Sequence, residues 1–367
     1  MGWKSSVAKK LGSALAPKNL VLLASLALVY CLAGKIGLKV VFVHPFMTPI
    51  WISTGVAVAA FVLCGYRVWP AILIGGVLDH VTSLGFVATT FTIPATATLE
   101  GLAGAYLVNR FAGGVKAFDT ARNVFWFVFG ACICAPAISA TLGTTMDYLR
   151  GSSSAALWGS RCLTWWLAYS IGTLLVAPFL ILLFRASHPR FDLLESGELT
   201  VLLLGLIFLC LLVFGPLSVS LNKNQVVQAW VCVPFLIWAA FRFRPLEAAG
   251  TTLILFGSAI WGTLHGYGSF TAKNGTISLV LLDSFIGVIG TMTLVVAAMV
   301  VERRRIAGEL LGTQSLLQEA VEHKEKDLVV TVRALEMEMT GHVQTKKALQ
   351  QSQERIRRIA PNTPLEE

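Results

Sequence analysis

Four ionisable side chains interrupt stretches that are otherwise almost wholly apolar: Asp79 and His80 in AILIGGVLDHVTSL, Glu100 in ATATLEGLAGAYL and Asp283 in LVLLDSFIGVIG. A titratable group in such a stretch is costly, so it faces other helices or a cavity and not lipid. A buried carboxyl there can hold a proton, bind a cation or accept hydrogen bonds. Two readings follow: a ligand or proton site, or interhelical hydrogen bonds that hold a bundle. A second group is HPFMTPIW (44–51), with His44, Pro45 and Trp51. Its two prolines prevent a regular helix. Irregular backbone near a membrane must be buried in protein or line a cavity, so the segment reads as the wall of an outer-rim pocket or as a plain turn. Arg161, Trp165 and Trp166 form a third group, which suits an interfacial aromatic belt or, alternatively, ligand stacking. No Ser–Lys, Asp–Asp or HExxH grouping occurs, so no catalytic residue, metal ligand or cofactor is expected. Cys31, Cys64, Cys132, Cys134, Cys162, Cys210 and Cys232 form no CxxC pair, and their number is odd; they read as small buried hydrophobes.

These residues need elements to hold them. The chain is 55% hydrophobic and 13% charged, with a mean hydropathy of +0.71. Soluble domains are about 25% charged. The charges also divide unevenly, sparse up to Arg305 and dense afterwards. The expected fold class is all-α: a polytopic membrane bundle followed by a cytoplasmic coiled-coil helix. A span takes about 20 mostly apolar residues. Runs near 20–38, 50–66, 69–86, 88–109, 123–146, 160–184, 199–219, 226–242, 246–265 and 277–301 give about ten spans, or eight if the short second and third runs form one hairpin. On that layout Asp79 and His80 lie roughly 18 Å along the third span at 1.5 Å per residue. Glu100 lies a similar distance into the next span from the other side, so a cluster of the three is geometrically possible.

Basic residues orient the bundle. Lys4, Lys9, Lys10, Lys18, Arg67, Arg110, Arg185, Arg242 and Arg303–Arg305 fall on one side, against Lys35, Lys39, Arg150, Arg161, Lys223 and Lys273 on the other. The positive-inside bias then places both termini in the cytoplasm. The same bias explains the net charge of +9 without nucleic acid, for which no motif is present. Leu20–Ala33 is followed by further apolar runs and reads as an uncleaved first span rather than a secretory leader.

Several separated stretches resemble one family. HPFMTPIWISTGVAVAAFVLCGYRVWPAILIGGVL (44–78) is similar to the opening signature of the first-type membrane-associated sensor (MASE) domain. The likeness continues, in order, in TLEGLAGAYLVNRF (98–111), APAISATLGTT (135–145), LTWWLAYSIGTLLVAPFLI (163–181) and LLDSFIGVIGTMTLVVAAMVVERRR (281–305). Two departures stand out. Tyr169 occupies a slot where the family often has an acidic residue, and Pro49-Ile50-Trp51 replaces a Pro-Trp pair. The resemblance implies a sensor module of a bacterial inner membrane, placed ahead of PAS domains, histidine kinases or cyclic-di-GMP enzymes.

After the basic stop, Val321, Leu328, Leu335, His342, Leu349 and Ile356 recur at seven-residue steps, with Leu310 and Leu317 early and Val332 and Met339 later as companions. This is an imperfect heptad seam with a stutter, and a parallel homodimer is the expected partner arrangement. His323 and His342 lack the flanking residues of a phospho-accepting histidine. The expected domains are a cytoplasmic N-terminus (1–19), a membrane sensor domain (20–305), a signalling linker (306–360) and a disordered end (361–367). The expected function is input: detection of a small-molecule, lipid or envelope signal, passed to an output domain beyond this chain. A transporter or channel is the alternative, since buried acids and proline-interrupted spans suit one.

Overall fold

The computed structural model describes residues 17–39, 48–151, 154–186, 193–218, 228–272 and 275–359. Every regular element among them is helical. The chain divides into two units, Met1–Arg303 and Arg304–Glu367. The helices are α1 (Pro17–Lys39), α2 (Ile52–Cys64), α3 (Trp69–Leu84), α4 (Thr92–Phe111), α5 (Ala121–Phe127), α6 (Ala135–Leu149), α7 (Ala155–Arg185), α8 (Leu193–Phe214), α9 (Val233–Arg242), α10 (Pro245–Leu264) and α11 (Gly275–Ile359).

Each apolar run of the sequence falls on helix. Among the described residues, five stretches are long and apolar enough to cross a membrane: Asn19–Lys39, Ala121–Leu149, Ala155–Arg185, Leu194–Phe214 and Gly275–Ile359. Large apolar side chains such as Leu28, Ile74, Leu204 and Phe208 point outward, while Ser53, Thr98, Glu100, Ser139 and Thr173 are buried. That inversion suits a bundle whose solvent is lipid, where polar groups must face inward.

Local sequence explains the breaks. α2 stops after 13 residues because Gly65 takes φ +80°, its N–H bonding back to Phe61 O, a conformation that favours glycine. A 3-10 turn over Tyr66–Val68 follows, and Pro70 in the first turn of α3 starts the next helix where its missing N–H costs nothing. The GYRVWP stretch is thus a compact helix–helix turn. Pro136 has the opposite effect. Its ring would crowd the carbonyl four residues earlier in an α-helix, and the backbone over Val128–Cys134 widens into a π-helix.

The first unit is held by close approaches of small residues. α2 packs on α7, α4 and α1; α3 packs on α1 and α4; α6 packs on α4 and α7; and α10 joins α7 to α8 and α9. A Cβ on Gly55 would lie 2.5 Å from Gly172 O, and one on Gly172 would strike Trp51 O. Without a hydrophobic drive between spans, such backbone-to-backbone packing does the associating. In the second unit, residues 304–359 continue the α11 helix and are exposed all round.

Gly172→Ala should therefore lower stability by about 1–3 kcal/mol through overpacking, seen as a drop in thermal unfolding temperature in lipid nanodiscs. Gly159→Ala, on the same helix but with open space around it, should not lower it.

Candidate functional site

The segment before α2 is fastened to the middle of α7. Trp51 N–H donates to Ala168 O at 3.0 Å. The Thr54 hydroxyl donates to Trp51 O at 2.8 Å and to Tyr169 O at 3.1 Å. Trp51 consequently stacks on Tyr169, ring centroids 5.9 Å apart, and Trp165 meets the other side of Tyr169 edge-on at 5.8 Å. Trp51 also lies against Gly37 of α1, and Trp165 fills the space beside Gly143 of α6.

Behind this aromatic row lies a buried polar cluster drawn from six helices. Tyr30 (α1), Ser53 (α2), Asp79 (α3), Glu100 (α4), Ser139 (α6) and Tyr169 (α7) are each less than a tenth exposed. Glu100 and Asp79 both act electrostatically on Tyr30 and Tyr169. The two acids keep separate immediate company. Asp79 fits only because α1 has Gly34 opposite it. Its Oδ1 accepts from the Ser83 hydroxyl at 3.1 Å, and Lys35 Nζ donates to that same hydroxyl at 3.2 Å. Glu100 has Ser139 beside it, and no cation.

Both Glu100 carboxyl oxygens, Ser53 Oγ, Ser139 Oγ and Trp165 Nε1 lack a hydrogen-bond partner. Each has a polar neighbour at hand without closing on it: Ser53 beside Tyr30, Ser139 beside Glu100, Trp165 beside Tyr169. An unsatisfied buried polar group costs about 1–3 kcal/mol, so native proteins leave few of them. The cluster offers hydroxyl and indole donors, one carboxyl without a cation, and an aromatic wall. Chemically it can receive a proton, a cation or a small hydrogen-bonding molecule.

The structure brings Asp79, Glu100, Trp51 and Trp165 into one neighbourhood. His80, next to Asp79, is half-buried on α3, and its Nδ1 lacks a partner. Successive helical residues diverge by about 100°, and no interaction ties His80 to Glu100 among the described residues. Asp283 is buried in α11 with Oδ1 unpartnered, apart from this cluster. Arg161 opens α7 near Asp147, which Arg150 also approaches. Trp166 serves the backbone instead. Its indole N–H donates to Ile133 O at 2.8 Å, a carbonyl of the π-helical segment. His44 and Pro45 lie outside the described residues. Among those described, no three His, Cys, Asp or Glu side chains gather into a metal-holding group.

Tyr30, Ser53 and Ser139 escape sequence reasoning. A serine or threonine in a span usually bonds back to its own helix, as Thr98 does to Pro94 O and Thr144 to Ala140 O, and nothing in the sequence separates those from Ser53 and Ser139. Tyr169 is noticeable only as the residue standing in a slot that is often acidic.

A family model described as MASE1 matches residues 22–304. No curated protein and no solved structure matches the chain.

Trp166→Phe removes the hydrogen bond to the widened helix. It should cost about 1 kcal/mol and speed amide exchange over 128–134, measured by hydrogen–deuterium exchange in nanodiscs; unchanged exchange there would disprove the role.

Proposed function

The chain belongs to the MASE1 family, whose domains serve as membrane sensors of signalling proteins, and from that premise we propose that this chain is an input module that detects a small-molecule, lipid or envelope signal at the Glu100 cluster. The signal passes along α11 to a cytoplasmic output, a histidine kinase or a cyclic-di-GMP enzyme, with both termini on the cytoplasmic side of a bacterial inner membrane and about ten spans between them. The observation that carries the reading is α11 itself. One helix, Gly275–Ile359, holds buried core residues Leu282, Phe285 and Ile286 and, further on, an exposed apolar seam.

α7 supplies a physical link between the two. It presents Trp165 and Tyr169 to the polar cluster, and Ile171 and Leu174 to Gly287 and Gly290 of α11. A change in how the cluster is filled alters the seat of α7 on α2, and with it the surface on which α11 rests. Interiors are too closely packed to absorb such a shift locally.

The seam needs a cover. Leu328 is 63% exposed and Leu349 60%, and an isolated helix gains little stability of its own in water. Heptad spacing is met by a second helix of the same spacing, so the partner is a second copy, parallel because both copies enter from the same membrane.

Two experiments bear on this. In membranes, Leu328→Cys should form a disulfide-linked dimer under mild oxidation far faster than Val330→Cys, two residues off the seam; equal rates would remove the coiled coil. With a histidine-kinase reporter fused after the helix, Glu100→Gln, Ser53→Ala and Ser139→Ala should each shift phosphorylation at least threefold. If all three match wild type while Leu328→Lys abolishes output, the cluster is structural and the input lies elsewhere.

A further inference from the structure

Cys210 and Cys232 are 22 positions apart in sequence but meet in the fold. The helix α8 packs on the 3-10 turn Ala229–Cys232 that precedes α9, and the two cysteines are buried at that contact, 3% and 0% exposed. Both are free thiols, within hydrogen-bonding reach of one another, with the Ser258 hydroxyl of α10 also within reach of Cys210. They are the one pair among the cysteines for which such a contact exists among the described residues.

Cys210 is also on the wall of a groove of about 360 Å³, together with Ile207, Phe214, Gly257, Ser258 and Trp261. That falls in the roughly 300–1,000 Å³ range of small-molecule sites. Its rim residues Ile207, Leu211 and Trp261 are 42%, 51% and 46% exposed, an apolar and aromatic lip on the outward face of a membrane bundle. An apolar, flat, lipid-dissolved oxidant suits a groove of this lining. Trp261 offers it a ring to stack on.

We propose that Cys210 and Cys232 are a redox-active dithiol, oxidised to a disulfide by a membrane quinone that enters this groove. The step balances: two S–H bonds break, one S–S bond forms, and the two electrons and two protons reduce the quinone to a hydroquinone. Thiol oxidation of this kind requires a positioned partner sulfur and an accessible oxidant; the fold supplies the first, and the groove beside Cys210 is where the quinone would reach it. The inference is independent of the Glu100 cluster, from which these residues are separate.

The test uses the full chain in lipid vesicles with decylubiquinone as the oxidant. After acid quench and denaturation, thiols are alkylated and peptides mapped by mass spectrometry. The expected result is loss of alkylation at Cys210 and Cys232 together, a cross-linked peptide joining them, and recovery on reduction. Decylubiquinol should do nothing, and Cys232→Ala should leave Cys210 alkylatable. Gly257→Leu, which places a side chain where a Cβ meets no atom within 4 Å, should slow oxidation by decylubiquinone at least tenfold while diamide still forms the disulfide. Persistent alkylation of both thiols with decylubiquinone, pairing with other cysteines, or oxidation by peroxide alone would overturn the proposal. So would equal decylubiquinone rates with Gly257→Leu.

Discussion

The crossing of α2 over α7 is the constraint on which the rest of the first unit depends. Gly55 and Gly172 let two backbones meet, and the meeting is close enough for Trp51 N–H to reach Ala168 O and for Thr54 to reach Tyr169 O. Those bonds place Trp51 on Tyr169 and turn Ser53, its near neighbour, inward. A larger residue at either glycine would separate the helices, and the aromatic row and the polar cluster would lose their common wall. Side-chain complementarity elsewhere follows the same rule on a smaller scale: Gly34 admits Asp79, Gly76 admits Pro94, and Gly143 admits Trp165.

Much of this architecture is written in local sequence. The helical, apolar character of the chain is legible because lipid demands long apolar runs, and five helices among the described residues are long and apolar enough to span. The turn between α2 and α3 is legible in GYRVWP, where glycine ends one helix and proline begins the next. The overlap in depth of Asp79 and Glu100 is legible from span boundaries and helical rise alone. Which side chains surround each acid is not, because facing depends on the rotation of every helix about its axis. That rotation separates the acids, giving Asp79 to Ser83 and Lys35 and Glu100 to Ser139, and it leaves His80 on another face. The helical state of the tail is legible too, since its charged, periodic sequence needs no tertiary context. The pairing of Cys210 with Cys232 is not, because it depends on how two helix ends converge.

Proline and glycine act here as positioning devices rather than as breaks. Pro136 follows the widened turn at 128–134, and Trp166 donates to a carbonyl of that turn, Ile133 O. Trp165, the neighbour of Trp166, meets Tyr169 edge-on. Contacts thus run from the widened backbone between α5 and α6 to the wall of the cluster.

The unpartnered atoms give this arrangement an energetic meaning. Each buried polar group without a partner carries a cost of about 1–3 kcal/mol, and Glu100 and three residues near it, Ser53, Ser139 and Trp165, bear such atoms. Moving a two-state element from one part in a hundred to ninety-nine takes about 5.5 kcal/mol of differential binding. The two quantities are of the same order. An occupant that satisfied these groups in one seating of α7 and not in another would therefore have enough free energy to choose between them, without a large interface and without touching α11.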